Sequence, residues 1–122
     1  MAHGTRRGIG GWGENLARDY LARRGYHLID QNVRTPYGEI DLIAAEGQVL
    51  VFVEVKTRSS GAFGLPEEAI TPEKRRHLLE AAQAYLQEHP EHEGDWRIDV
   101  IAIQQQGDGQ PPQVTHFENA VT

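Results

Sequence analysis

Residues 38–58 read Gly-Glu-Ile-Asp-Leu-Ile-Ala-Ala-Glu-Gly-Gln-Val-Leu-Val-Phe-Val-Glu-Val-Lys-Thr-Arg, and this stretch decides the fold. Its two halves are rich in aliphatic and β-branched residues, and they are separated by the pair Glu46-Gly47, which is typical of a turn. The pattern predicts a β-hairpin. Because the second half stays apolar until Glu54, it is expected to be a central strand covered on both faces.

Side chains alternate between the two faces of a strand, and this alternation gathers the acids of the hairpin on one side. With the turn centred on Glu46-Gly47, Asp41 is expected opposite Phe52 and Glu39 opposite Glu54. Asp41 and Glu54 would then be diagonal neighbours, with β-carbons about 7–8 Å apart, close enough to share one divalent ion. Lys56 belongs to the same face. The opposite face is assigned to three apolar residues, Ile40, Leu42 and Ala44.

Two interpretations of this acidic face are possible. Like charges repel across strands, and burying them without partners costs several kcal/mol, on the order of ion-desolvation energies, which a bound metal would remove. The alternative is an ordinary amphipathic hairpin whose acids and lysine are solvated. Charges that begin only at the end of an apolar strand favour a site at the strand terminus.

The chain has 122 residues, which suits a single domain with one core. It has no cysteine, which excludes disulfides and thiolate metal sites. It also has no long apolar run and no N-terminal signal pattern, so we expect a cytoplasmic protein without a membrane span.

The net charge of −6 argues at first against a nucleic-acid partner, but the charge is unevenly distributed. Residues 1–76 hold eleven of the twelve Lys and Arg against ten acids, a balance of +1, whereas residues 77–122 hold one against eight, a balance of −7. Local patches rather than the total govern contacts with phosphate. A nucleic-acid partner therefore remains compatible with the composition.

Residues 1–12 are predicted to be a flexible N-terminal segment, and residues 13–122 are predicted to form one domain. An apolar stripe predicts a helix over 13–24, ended by Gly25. Glu14 is expected in the first turn of that helix. It is either a carboxylate favoured by the helix dipole or a side chain at the edge of the buried stripe that points at the sheet.

The remaining pattern predicts an α/β domain with the order helix, three strands, helix, and one or two strands in a partly antiparallel sheet. The strands are expected at 26–33, 96–103 and, at an edge, 113–119, and Asp99 is expected to form a structural ion pair with Arg97. Phe63, in the loop after the hairpin, is either a mobile wedge or a plug for the core. The second helix is expected to begin with Thr71 as N-cap and Pro72 at the first helical position.

Three cations, Lys74, Arg75 and Arg76, fall in the first turn of that second helix, where the helix dipole disfavours positive charge. This placement hints that they meet an anion, with phosphate as a candidate. A solvated helix face is the alternative for Arg75 and Arg76.

An acid on one strand followed by Glu-x-Lys on the next resembles the PD-(D/E)xK nuclease superfamily. The spelling is closer still to the YraN-like predicted endonucleases. The matching motifs are Gly10 to Glu14, Gly25-Tyr26, Asn32-Val-Arg34, Gly38 to Ile43, Val51 to Arg58, Phe63-Gly64, Lys74, Arg97 to Val100, and His116 to Ala120. The resemblance covers nearly the whole chain, although the superfamily's Pro-Asp pair is absent because Asp41 follows Ile40.

The resemblance implies a restriction-endonuclease-like mixed sheet and Mg²⁺- or Mn²⁺-dependent hydrolysis of a phosphodiester, with DNA as the expected substrate. Asp41, Glu54 and the backbone carbonyl of Val55 would hold the ion, and Glu14 or Glu39 would complete or orient its ligands. Lys56 would position or deprotonate a water. Flanking phosphates would be contacted by Arg34, Arg58 and Lys74. A monomer or homodimer is expected, and the alternative function is a non-catalytic nucleic-acid- or protein-binding module with the same fold.

Overall fold

The computed structural model describes residues 9–58 and 70–121, which form one five-stranded sheet with a helix on each face. The elements are α1 (Ile9–Arg23), β1 (His27–Thr35), β2 (Gly38–Glu46), β3 (Val49–Arg58), α2 (Pro72–Glu88), β4 (Trp96–Gln104) and β5 (Gln113–Val121). The strands lie in sequence order, and neighbours are antiparallel except β3 and β4, which are parallel and connected through α2. The predicted mixed α/β layout is confirmed. Phe63 lies outside the described residues.

The sheet separates two hydrophobic clusters, and β3 contributes to both of them. Val51 and Val53 pack under α1 with Ala17 and Leu21, whereas Leu50 and Phe52 face α2. Residues 50–54 of β3 are all buried, as predicted for a central strand. On the α2 side the buried residues include Ile43, Leu50, Phe52, Leu78, Ala82, Tyr85, Ile98 and Val100.

Helix α1 begins at Ile9, four residues before the predicted start, so residues 9–12 are helical rather than part of a flexible lead-in. The early start places Glu14 beyond the first turn, which contains no acid. Gly13 lets the helix approach the sheet closely, since a Cβ built there would lie 2.1 Å from Cγ2 of Thr57. The helix is therefore held tightly against the end of β3.

The observed register of the β2–β3 hairpin is shifted by two residues from the predicted one. Glu46 pairs with Val49, and Ile43, rather than Asp41, lies opposite Phe52. The turn is the two-residue loop Gly47-Gln48, and Gly47 has φ +60°, a conformation that suits glycine at the first central position of a tight hairpin turn. A shift of two residues leaves Phe52 and Glu54 on their predicted face.

The alternation predicted for β2 is wrong at Ile40. Leu42 and Ala44 pack in the α1 cluster as expected, but Ile40 packs with Ile43 in the α2 cluster. Across from this point, Asn32 of β1 has φ 54°, between the pairs Gln31–Leu42 and Val33–Ile40. A left-handed residue locally rotates the strand, which accounts for the change of face.

Helix α2 starts as its sequence predicts. Thr71 is the N-cap, its side chain accepts the backbone N–H of Lys74 at 3.1 Å, and Pro72 occupies the first helical position. The predicted edge strand is β5, which extends to Val121. Within residues 9–58 and 70–121, neither helix is long and apolar enough to cross a membrane.

Candidate functional site

The predicted site residues of the hairpin lie where β2 and β3 separate. The pairing of the two strands ends at Leu42–Val53, after which β2 continues beside β1 and β3 continues beside β4. The region beyond this last pair is called the fork below, and it comprises residues 38–41 of β2 and 54–58 of β3. Continuing the register by one residue would place Asp41 opposite Glu54, closer than the predicted diagonal arrangement.

Asp41 bridges the two arms of the fork. Its Oδ2 accepts the backbone N–H of Val55 at 2.8 Å, so a side chain takes over where the backbone ladder has stopped. Val55 directly follows Glu54, so the Asp41 carboxylate is held at the part of β3 that carries the second acid. The structure thus brings the Asp41 carboxylate to the backbone of Val55.

Glu54 is a buried carboxylate with two cationic neighbours. The residue is 6% exposed, and its Oε2 lies 3.5 Å from Nζ of Lys56 and 3.4 Å from Nζ of Lys74. Lys56 comes from the same strand and Lys74 from the first turn of α2. The anion that Lys74 meets in this structure is therefore the Glu54 carboxylate. Two ammonium groups satisfy a charge that would be costly to bury alone.

Glu14 points at the sheet, in agreement with the second of its two interpretations. It is 5% exposed, and its Oε1 accepts a hydrogen bond from Nδ2 of Asn32 at 2.9 Å. The dipole interpretation is wrong because Glu14 is not in the first turn. Asn32 was missed by the sequence analysis, although asparagine is one of the residues that tolerate its left-handed backbone.

The other predicted residues include Glu39 and Arg58 within the fork and Arg34 on the neighbouring strand β1. Glu39 pairs with Arg34 in the β1–β2 ladder, and both line an open cavity of about 310 Å³ together with Thr35 and Gly38. Arg58 ends β3, and its carbonyl accepts the backbone N–H of Gln105 at 2.8 Å. Arg75 of α2 is used structurally, because its Nη1 donates to the carbonyl of Ala120.

The donors at the fork suit a magnesium-sized ion in number and kind. Among the described residues, no three His, Asp or Glu side chains are grouped to hold a metal by themselves. Mg²⁺ is, however, usually bound through one or two carboxylates, with water and substrate phosphate supplying the remaining oxygens. Asp41 and Glu54 meet that smaller requirement, and Glu54 already attracts two positive charges.

A second polar cluster lies on the α1 side of the sheet, centred on Asp99. Asp99 is fully buried, and Nε of Arg97 donates to it at 2.9 Å, which confirms the predicted ion pair. Its Oδ2 lies 2.7 Å from Nε2 of His116, and its Oδ1 accepts the backbone N–H of Asn119 at 2.8 Å. The hydroxyl of Tyr20 lies 3.2 Å from the other ring nitrogen of His116.

The pKa shifts in this cluster follow from its burial and charges. Burial by itself raises the pKa of the Asp99 carboxyl, but hydrogen bonds from His116, Arg97 and Asn119 outweigh it and leave that pKa below its ordinary value. Burial raises the pKa of the Tyr26 phenol to about 12, against the opposing charge of Arg97. The hydroxyl of Tyr26 accepts a hydrogen bond from Nη2 of Arg97 at 2.8 Å.

Comparison with known proteins gives one consistent family match. Residues 13–103 match the profile of "Uncharacterised protein family UPF0102". A UPF0102 protein of Rhodococcus opacus is 47% identical over 120 residues, covering 98% of this chain and 99% of the relative. Another from Syntrophotalea carbinolica is 45% identical, covering 92% and 89%, and one from Alkaliphilus oremlandii is 45% identical, covering 92% and 96%. These descriptions name a family and no reaction.

Proposed function

This chain belongs to the UPF0102 family, and from that premise we propose that it is a metal-dependent nuclease that hydrolyses phosphodiester bonds, with DNA as the expected substrate. The observation that carries the proposal is the buried Glu54 carboxylate, in contact with Lys56 and followed by the residue to which Asp41 is hydrogen-bonded. Two carboxylates can hold a divalent ion that activates water and neutralises charge on a phosphate, and an adjacent ammonium group can orient that water.

Asp41 and Glu54 would hold the ion, with the carbonyl of Val55 as a further oxygen donor. Mg²⁺ or Mn²⁺ bound there would lower the pKa of a coordinated water and neutralise charge on the phosphate. Glu14 would act from the α1 side and Glu39 from the β2 arm, to orient or complete the ligands. Because they are assigned this supporting role, we expect their removal to weaken activity less than removal of Asp41 or Glu54.

Lys56 would direct the attacking water, because its ammonium group lies beside the buried carboxylate and can donate hydrogen bonds to water or to a phosphate oxygen. Arg34, on β1 opposite Glu39, and Arg58, at the end of β3, would contact phosphates on either side of the scissile bond. Lys74 approaches from α2 and would supply a third cation.

The test is nicking of a supercoiled plasmid with Mg²⁺ or Mn²⁺, comparing wild type with Asp41→Asn, Glu54→Gln and Lys56→Gln. Each variant should lose activity by about 100-fold or more if these groups act in the transition state. Asp19→Asn, an exposed position on α1, is a matched control that removes one carboxylate without touching the fork. Activity that persists in all three site variants would refute the nuclease assignment.

A second candidate function is a non-catalytic module that binds nucleic acid or protein. It is favoured by the absence, within the described residues, of a group of three side chains arranged to hold a metal. It is also favoured by the two lysines that already balance Glu54. The module predicts binding to branched or single-stranded DNA that needs no divalent ion, together with no nicking. Measuring DNA binding with Mg²⁺ and with EDTA separates the two functions.

A further inference from the structure

Lys74 occupies an unusual position for a cation. It lies in the first turn of α2, where the partial positive charge of the helix end disfavours an ammonium group. Its side chain nevertheless reaches the sheet, and Nζ stands 3.4 Å from Oε2 of Glu54. The contact joins a side chain that is 38% exposed to a carboxylate that is 7% exposed. Lys74 therefore connects solvent to the buried acid.

The same carboxylate oxygen is shared with Lys56, whose Nζ is 3.5 Å away. The Glu54 carboxylate thus has two ammonium neighbours, whereas the Asp41 carboxylate of the other arm is hydrogen-bonded to the backbone of Val55. The two lysines differ in freedom, because Lys56 is fixed two residues along the same strand, whereas Lys74 extends from another element and is more exposed. A divalent cation at Glu54 would repel both, and Lys74 has more room to move away.

We propose that Lys74 is a displaceable counter-ion: it neutralises Glu54 in the metal-free protein, is expelled when a divalent cation binds, and then contacts a phosphate oxygen of the substrate. This inference rests on the proposed function, since it assigns Lys74 a task at that same site. It explains why a cation is kept at the unfavourable end of a helix. Metal binding and phosphate binding are thereby coupled through one side chain.

The coupling predicts that substitution of Lys74 has opposite effects on metal binding and on DNA binding. In Lys74→Gln the competitor for Glu54 is gone, so Mn²⁺ should bind about tenfold more tightly. The phosphate contact is also gone, so a DNA duplex should bind more weakly in the presence of Ca²⁺. Lys74→Arg keeps the charge and should stay close to wild type in both measurements. A residue with a merely structural role would not tighten metal binding when removed.

The experiment is titration calorimetry of Mn²⁺ into the metal-free full-length chain, with Arg76→Gln as the matched control. Arg76 is exposed on the same helix, so its substitution changes net charge equally and leaves the Glu54 contacts in place. Tightening in Lys74→Gln beyond that in Arg76→Gln supports the proposal. Equal affinities in these two variants would overturn it.

A measurement on the unmodified protein covers the case in which Lys74→Gln does not fold. Acylation of lysine amines, followed by mass spectrometry of the peptides, reports how accessible each amine is. Mg²⁺ should raise the labelling rate of Lys74 several-fold relative to Lys56. Unchanged relative labelling at an Mg²⁺ concentration that calorimetry shows to be saturating would contradict displacement.

Failure of the inference can be told apart from failure of the proposed function. Glu54→Gln and Asp41→Asn should both abolish Mn²⁺ binding if the fork is the metal site. If they leave binding intact, the site assignment fails and the counter-ion role fails with it. If they abolish binding but Lys74→Gln matches Arg76→Gln, the metal site stands and the role of Lys74 alone is wrong.

Discussion

Nε2 of His116 lies 2.7 Å from Oδ2 of Asp99, and this contact joins β5 to β4 inside the α1 side of the sheet. The carboxylate is fully buried and the imidazole side chain is 5% exposed. The other ring nitrogen, Nδ1, lies 3.2 Å from the hydroxyl of Tyr20 on α1. Helix α1 is thereby attached to the edge of the sheet by a chain of polar side chains.

Replacing Asp99 by Asn should strongly destabilise the fold. The substitution removes the negative charge and replaces one of the two acceptor oxygens by an NH2 donor in a buried environment, and breaking a buried ion pair on one side costs about 3–5 kcal/mol. Urea unfolding at pH 7 measures the loss. Asp95→Asn, at an exposed position just before β4, is the control and should change the free energy of unfolding by less than about 0.5 kcal/mol.

The contribution of Asp99 should also depend on pH in a defined direction. Because the pKa of Asp99 is lowered in the folded state, its stabilisation is fully present above the unfolded pKa, about 3.9, and is lost as pH falls through the lower folded pKa. The difference in stability between wild type and Asp99→Asn should therefore narrow below about pH 4. A difference in the free energy of unfolding between wild type and Asp99→Asn that stays constant from pH 7 to pH 3 would contradict this assignment.

Tyr26 should account for part of the fall in the free energy of unfolding at alkaline pH. The pKa of the Tyr26 phenol is raised to about 12 in the folded protein. Its contribution to the free energy of unfolding is therefore fully present below the unfolded pKa of about 10, and it is lost as the pH rises through 12. Two pKa units correspond to about 3 kcal/mol. Tyr26→Phe should flatten the decline in unfolding free energy between pH 10 and 12, whereas Tyr37→Phe, at an exposed turn, should not.

Gly13→Ala should destabilise the protein even though alanine favours helices. Helix propensity alone would stabilise the variant by about 1 kcal/mol, but the new Cβ would lie 2.1 Å from Cγ2 of Thr57. Overpacking of this kind costs about 1–3 kcal/mol. Thr57→Ser removes the methyl group and should recover most of the loss in the double variant. Additive effects in thermal unfolding would show that this contact is not the cause.

The pair Glu14 and Asn32 should behave as one hydrogen-bonded unit. Asn32→Asp keeps a residue that tolerates the left-handed backbone, but it places a second carboxylate against the buried Glu14, at a cost of about 3 kcal/mol. Adding Glu14→Gln restores a donor and an acceptor with their roles exchanged. The double variant should be more stable than Asn32→Asp alone, and a double-mutant cycle measures the coupling.

The features that were predictable from the sequence are those with a local cause. The apolar run of β3 and the Thr71-Pro72 helix start depend on neighbouring residues, and both are confirmed. Grouping of Glu54 with Lys56 followed from strand periodicity. The ion pair of Asp99 with Arg97 was also within reach, because alternate residues of a strand share a face.

The features that escaped prediction arise from packing between distant segments. The hairpin register depended on which two residues formed the turn, and Gly47 is a central residue in the predicted turn as well as in the observed one, so the glycine alone did not distinguish them. The contact of Asp99 with His116 joins different strands, and the contact of Glu14 with Asn32 joins α1 to β1, so neither leaves a short-range pattern. Lys74 was expected to meet an anion, but the buried acid that it meets belongs to another element.

The pairing of β2 with β3 stops at Leu42–Val53, so any relative movement of the two arms of the fork would hinge at this pair. Between the turn and this pair, β2 and β3 are joined by backbone pairing and by packing in the two hydrophobic clusters. Beyond the pair, the two arms are bridged by the Asp41–Val55 hydrogen bond. Ile40 and Val55 of the two arms also belong to these clusters, so a change in the spacing between Asp41 and Glu54 would alter the packing on both faces of the sheet. The spacing of the two carboxylates is therefore set by the packing of the interior as well as by the hydrogen bond between Asp41 and Val55.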